Sequence, residues 1–316
     1  HHIEKTEEGF RVHTNIANYD AKNVLIATGA AESPAPVPGW TLPGVMSIGA
    51  AQVMTNVHRV KVGEKGIIAG VNVLSAAIAR EMQLAGIDLH SMVLPGLNPV
   101  TRTHGNPKKV MEGLVRIAHL APSAFIRFGS KFAHNSFVSD LAVKFYPKGG
   151  VKMWGMPIHV RKALVRINGE EKVESVTLCN VTPDGQPVPG TEENVEVDFV
   201  CIAGGLYPLA ELAAVVGVPF RYAEELGGHV PVHNEAMETP IEGLYVAGNI
   251  TGIESGKVAR EQGKVAGLSI ASRMLNKPAD LDFRLTQAKQ DVITTRNNAS
   301  IQFHPGIREG RSRVHK

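Results

Sequence analysis

The 316-residue sequence has little of what thiol, metal or membrane chemistry needs. It holds two cysteines, Cys179 and Cys201, each inside an apolar strand-like run and not spaced as a CxxC pair. Disulfide reduction needs two thiols within exchange distance, one of them acidified, so that chemistry is excluded. Core packing in a reducing compartment is the expected role of both, and a cytoplasmic location goes with it. No ligand set for an iron–sulfur cluster exists. His104, His119 and His134 lack metal-ligand spacing, and no metal site is expected. No apolar run is long enough to span a membrane, and no signal peptide opens the chain. A net charge of +3, with Lys and Arg scattered except in the tail, argues against nucleic acid as a partner.

What the chain does have is glycine, 32 residues of it, with 43% hydrophobic and 20% charged residues. That balance describes a globular α/β protein with many tight strand-to-helix turns and enough length for two domains. The organising stretch runs from Thr239 to Gly267. Leu244 to Ala247 reads as a buried strand, Gly248 ends it, and Gly252 and Gly256 continue a small-residue turn. A helix follows, with Val258, Gln262, Val265, Ala266 and Ser269 at helical spacing. A strand, a glycine turn and a helix N-terminus form a site for an anion or polyol, because the first helical N–H groups lack partners.

Three further stretches bear on the same reading. Asn23 to Ala30 is a strand ending in Ala27-Thr28-Gly29. Pro34, Pro36, Pro38 and Pro43 then break regular structure, in a segment reading P-G-W-T-L-P-G-V-x-x-x-G-A-A-Q from Pro38 to Gln52. Gly66 to Leu94 has the strand–helix–strand pattern of a dinucleotide-binding unit, but its turn keeps only Gly70 of the G-x-G-x-x-G fingerprint. Asn72 carries a side chain where backbone must meet a pyrophosphate, and no acidic residue follows Val93 to take a ribose hydroxyl. Weak or absent NAD(P) binding is the expectation at Gly70 and Asn72. Asn168-Gly169 signals a hairpin, and 106–120 and 122–146 read as a helical insert.

The Thr239–Gly267 stretch resembles the second flavin-binding motif of the FAD-dependent pyridine nucleotide-disulfide oxidoreductase superfamily. The Pro38–Gln52 segment resembles the crossover linker of one branch. That branch holds the flavin subunits of amine and imino-acid dehydrogenases: opine oxidase, proline or hydroxyproline dehydrogenase, sarcosine oxidase alpha and hydrogen cyanide synthase subunits. The resemblance implies two dinucleotide-binding, Rossmann-like domains. The first would be discontinuous and N-terminally truncated, covering 1–56 and 190–275. The second would span 57–189, with a tail over 276–316. It further implies FAD held by Thr28, Gly29, Gly248, Asn249, Thr251 and Gly252, with Asn249 standing where the family usually has Asp. Family members open with a strand and G-x-G-x-x-G, about 100 residues of domain that this sequence lacks. His1-His2 read equally as tag residues or native ones.

The function implied is an FAD-dependent oxidoreductase subunit that carries electrons, with a partner subunit oxidising a small amine or imino acid. No general base stands out. Two alternatives stay open: a self-contained NAD(P)H-dependent flavin reductase, and a non-catalytic fragment of such a protein.

Overall fold

The computed structural model describes residues 2–117, 142–275, 279–299 and 302–315. The chain forms two compact units, one of His1–Ala31 with Leu206–Lys316, the other of Glu32–Gly205.

The first unit opens with three antiparallel strands, β1 (His2–Thr6), β2 (Gly9–His13) and β3 (Asn18–Ala21). Alternation along them pairs Ile3 with Val12 and buries Ile3 and Phe10. Strand β4 (Val24–Ile26) follows, and β5 (Ala30–Glu32) leads into the second unit.

The second unit is built on an eight-stranded sheet. Its elements in order are β6 (Val45–Ser47), α1 (Ile48–Asn56), β7 (Lys65–Ala69), α2 (Val73–Leu84), β8 (Asp88–Pro95), α3 (Pro107–Ile117), β9 (Val151–Met153), β10 (Met156–Asn168), β11 (Ser175–Asn180), β12 (Glu193–Glu196) and β13 (Phe199–Ile202). The sheet order is β12-β11-β10-β8-β7-β13-β6, with β9 on β10. The run from β10 to β6 is parallel, and the β10–β11–β12 end is antiparallel. Parallel central strands covered on both faces read as continuous apolar runs, and β13 is buried at every residue. The pleat divides those runs between two cores. Ile68, Met92 and Cys201 join Ile78 and Met82 of α2 on one face, while Ile67, Val93 and Val200 join the other.

The proline-rich segment covers that second face, where Ala35 and Val37 are buried. It docks through Ile167 N–H to Pro38 O at 2.8 Å and Val173 N–H to Pro43 O at 2.9 Å. Gly39 has φ +88°, and a Cβ there would stand 2.0 Å from the Ile167 carbonyl oxygen. The segment read as irregular linker is therefore a packed lid on the sheet, and its glycine is fixed by steric contact. The Asn168-Gly169 hairpin forms, but through a loop over 169–174 rather than a two-residue turn, because Asn168 pairs with Ser175. Helix α3 lies within the expected helical stretch. The expectation over 122–146 falls mostly outside the described residues, as do His119 and His134.

The chain then returns to the first unit with β14 (Leu206–Pro208), α4 (Glu211–Val215), β15 (Phe220–Ala223), β16 (Gly228–Pro231), β17 (Leu244–Val246), α5 (Gly256–Met274), α6 (Ala279–Asn297) and α7 (Ile307–Val314). Strand β17 lies parallel to β4 in the register Leu244 to Val24 and Val246 to Ile26. Leu244 and Val246 pack with Ile3, Phe10 and Ile26, while Ala247 turns toward Val258 and Val265 of α5 and Ala288 and Val292 of α6. Helix α7 closes the unit by placing Ile307 and Val314 on the β15–β16 hairpin beside Leu226 and Val230. Among the described residues no helix is long and apolar enough to cross a membrane.

The Gly39 contact yields a first test. Gly39→Ala combines left-handed strain with a clash against fixed backbone, and it should cost on the order of 2–3 kcal/mol of stability. Gly86→Ala, at φ +79° with nothing within 4 Å of a new Cβ, carries the strain alone. Urea midpoints of the two variants should separate, Gly39→Ala being the lower; equal midpoints would contradict the docking role.

Candidate functional site

The parallel pairing of β4 with β17 brings together two turns that lie more than 200 residues apart in sequence. Both follow the carboxyl ends of their strands, which is where ligands bind in parallel α/β sheets. Ala247 N–H donates to Ile26 O at 3.2 Å, carrying the pair one step past the strands to the turns themselves. On the β4 side Thr28 donates its hydroxyl to Leu209 O, and Gly29 O accepts from Leu209 N–H at 3.1 Å. On the β17 side Gly248, Asn249, Ile250 and Thr251 form a single 3-10 turn that ends at Gly252.

The glycines at these turns leave room. Gly29 has φ +80° and Gly248 φ +81°, conformations that favour glycine. A Cβ on Gly29 or on Gly256 would meet nothing within 4 Å, and one on Gly248 only the Cβ of Ala259 at 3.7 Å. A ligand could therefore approach the backbone at all three. Gly252 differs: a Cβ there would stand 2.9 Å from Leu226, so that glycine serves packing.

Behind the turn the polar contacts are closed. Gly248 N–H donates to Gln262 Oε1 at 2.9 Å, and Thr251 donates its hydroxyl to Gly248 O at 2.8 Å. Asn249 Oδ1 accepts from Glu254 N–H at 3.2 Å. Ser255 caps α5 by accepting from Val258 N–H at 3.4 Å. Glu254 is buried and holds two guanidinium groups. Arg296 of α6 donates to it from Nε at 2.6 Å, and Arg311 of α7 from Nε at 3.0 Å. Arg311 also donates from Nη1 to Thr251 Oγ1 at 2.9 Å. The two guanidiniums hold the Glu254 carboxyl below the usual carboxylate range against the opposing effect of its burial. His233 is buried beside them, its Nδ1–H donating to Pro231 O at 2.7 Å. Burial, with Arg311 beside it, pushes its pKa down to about 3, and the neighbouring His315 is pushed down to about 4 for the same reasons. A cavity of about 320 Å³ opens next to the start of α5, lined by Glu254, Ser255, Val258, Arg296 and Phe303 among others.

In the second unit the Gly70 turn has a different character. Gly70 has φ +134°, and a Cβ there would stand 2.1 Å from Ala203 O. Asn72 is the N-cap of α2: its Oδ1 accepts from Ser75 N–H at 2.9 Å, and its own N–H donates to Ser75 Oγ at 3.0 Å. The helix thus satisfies its own terminal donors through a capping box.

No family model matches the chain. Among solved structures it is similar to L-proline dehydrogenase from P. horikoshii, with a TM-score of 0.56 and 19% identity over 90% of this chain and 43% of that one. It is also similar to an FAD-dependent pyridine nucleotide-disulphide oxidoreductase from Desulfovibrio vulgaris, with a TM-score of 0.52 and 18% identity over 86% of this chain and 60% of that one. The chain has the pyridine nucleotide-disulfide oxidoreductase fold. The α/β class and the resemblance read from the motifs are borne out. In sequence it is related to an opine oxidase subunit of Agrobacterium tumefaciens, 25% identical over 90% of this chain and 48% of that protein. Hydrogen cyanide synthase subunit HcnB of Pseudomonas aeruginosa is 23% identical over 84% of this chain and 50% of that protein. The chain spans about half the length of these curated relatives.

On this oxidoreductase fold, Thr28, Gly29, Gly248, Asn249, Thr251 and Gly252 all fall at the two turns of the first unit, and Gly70 and Asn72 at the turn of the second. Sequence reasoning missed the supports, Glu254, Arg296, Arg311 and His233. Only Gln262 left a trace, as a polar residue on the apolar face of α5. It is 1% exposed, and its Nε2 has no hydrogen-bond partner among the described residues.

Five histidines (90, 104, 159, 233 and 315) are held below the ordinary imidazole range, burial being the leading cause for each. The unfolded chain therefore takes up protons below about pH 6.5 that the folded chain refuses. The stability these neutral imidazoles contribute is full well above that pH and falls as pH drops through the window toward about 3. Urea unfolding at pH 7.5 and at pH 5 should show this loss, and His233→Gln should remove the share of one proton from the slope. A slope unchanged by the substitution would contradict the buried neutral imidazole.

Proposed function

We propose that the chain is the flavin-holding part of an FAD-dependent oxidoreductase, the electron-transfer subunit of an amine or imino-acid dehydrogenase or oxidase complex. The observation that carries this reading is the pair of open glycine turns at the ends of β4 and β17. The residues present suit a flavin. The missing Cβ atoms of Gly29, Gly248 and Gly256 leave space for a flat ring and its polyol chain, and Gln262 leaves a buried amide donor unsatisfied at the turn. Thr28, Gly29, Gly248, Asn249 and Thr251 would line the group, with Gly252 shaping the turn. Asn249 would meet a ribityl hydroxyl by a neutral hydrogen bond. The N-terminus of α5 would face the ring with its positive dipole end.

A bound flavin would supply a two-electron acceptor for electrons drawn from an amine or imino acid, and this chain's residues would supply position, electrostatics and exclusion of water. Among the described residues no paired acid and base stands at the turns of the first unit, and the relatives are named as subunits; on this reading substrate oxidation is assigned to a partner subunit. A cytoplasmic site of action accords with two free, buried thiols. Flavin reduction by NAD(P)H bound at the second unit is the weaker reading, because Asn72 fills with side chain the place where a pyrophosphate would meet backbone.

The test uses the whole protein purified together with a candidate amine-oxidising partner subunit. A visible flavin spectrum that bleaches anaerobically with a secondary amine or imino acid is the expected result. A colourless full-length protein, or bleaching by NADH alone, would count against the reading. Gly256→Val, at a glycine without a left-handed φ, should lower bound flavin at least tenfold with little loss of helix content, since the side chain enters the open space. Asn249→Asp should tighten flavin several-fold through a charge-assisted bond to a hydroxyl, worth roughly 1 kcal/mol more than the neutral one.

A further inference from the structure

Buried Glu254 and Arg311 form an ionic cluster with the partly exposed Arg296 against the back of the Gly248 turn. Glu254 and Arg311 are each 4% exposed. The carboxylate takes Arg296 through Nε at 2.6 Å and Nη2 at 3.1 Å, and Arg311 through Nε at 3.0 Å with a further Nη2 contact. Arginine keeps its proton in proteins, so the cluster holds two positive charges and one negative. Its polar neighbours do not balance it. His233 presents Nε2 to Arg311 Nη1 at 3.5 Å and donates from Nδ1, which is the neutral form. Arg313 is paired with Glu225, and Arg308 bonds Asn297 Oδ1 at 3.0 Å at the surface, where solvent screens it. The cluster carries one net positive charge: Arg296 reaches the cavity with 19% of its side chain exposed, while Arg311 is buried and meets the turn directly through Thr251 Oγ1.

We propose that this cluster tunes whatever ring binds at the turn: its unbalanced positive charge favours the reduced, negatively charged form of the flavin, and Arg311 is the positioning residue that connects charge to turn. The proposal rests on the flavin reading of the Gly248 turn. Uptake of two electrons and one proton leaves a single negative charge on the flavin ring system, and a buried positive charge close by stabilises that product over the neutral oxidised ring. A buried carboxylate shared by two arginines from separate helices is a costly device if packing is its whole purpose, because apolar side chains of similar volume stabilise as well or better.

The experiment is a reference-dye titration of the full-length flavoprotein, with dithionite as the source of electrons. Arg311→Met removes a positive charge and should lower the fraction of flavin reduced at a fixed dye ratio, by about tenfold for a unit charge at such depth. Glu254→Gln removes the negative charge and should raise it. Arg311→Lys keeps the charge and should stay near the wild type. Opposite shifts are the signature of the field, since loss of structure moves both variants the same way. Variants that move together, or not at all, in a flavin-loaded protein overturn the proposal alone. A full-length wild type without flavin overturns the flavin reading and the proposal with it. Where Glu254→Gln does not fold, the contrast of Arg311→Met with Arg311→Lys decides: equal shifts in the two overturn the proposal.

Discussion

The buried carboxylate of Glu254 is the constraint on which the first unit's open turn depends. It sits two residues past Gly252 and fastens α6 through Arg296 and α7 through Arg311. Removing Glu254 from such a cluster leaves two facing guanidiniums uncompensated, a loss of about 3–5 kcal/mol. The same residue donates its backbone N–H to Asn249. Helices joined to the turn only through long stretches of chain are thus locked to the segment that carries it. Gly29 and Gly248 take their left-handed conformations without the Cβ penalty. The ionic contacts lie behind the Gly248 turn, which leaves its front free.

Strand pairing supplies the other half. A three-residue parallel pair such as β4 with β17 has few ladder bonds of its own and stands because both faces are covered. Phe10, Leu244 and Val246 lie on one face, and Ala247 meets α5 and α6 on the other. Small residues at Ala247 and Ala259 let α5 run close under the turn, so the helix N-terminus reaches the same place as the glycines. The pleat of two short strands and the start of one helix then determine which backbone groups face outward.

Much of this was legible in the sequence because its signals are local. Leu244-Tyr245-Val246-Ala247-Gly248 announces a buried strand and its stop within five residues, and Ala27-Thr28-Gly29 does the same. The opening sheet likewise rests on a local signal, the alternation of Ile3, Phe10 and Val12 with polar residues. The Pro38–Gln52 segment was conspicuous as a motif, yet its role was not legible, since the need for Gly39 arises from the carbonyl of Ile167, 128 residues away in the sequence. The ionic cluster was invisible for the same reason. Glu254 lies 42 residues from Arg296 and 57 from Arg311, and a polar, basic tail gives no periodic sign that one of its arginines is buried. Long-range polar pairing follows from tertiary structure, not from pattern.

The two strand–turn–helix units carry similar sequence logic and differ in one physical respect. At Gly70 the missing Cβ faces the carbonyl of Ala203, and two residues on Asn72 closes the helix with its own side chain. The glycine is spent on packing, and α2 carries a reciprocal Asn72–Ser75 cap where α5 carries the single Ser255 bond. At Gly248 the missing Cβ faces open space, and the nearby amide of Gln262 is left with a buried donor unmatched. A glycine after a strand is compatible with both situations, so the fingerprint letter by itself does not distinguish a nucleotide turn from a packing turn. What distinguishes them is whether the atoms that would meet the ligand are already satisfied. By that criterion the first unit has unmet capacity at its turn and the second has none at Asn72, which is why the proposed chemistry is assigned to the pair of turns at β4 and β17.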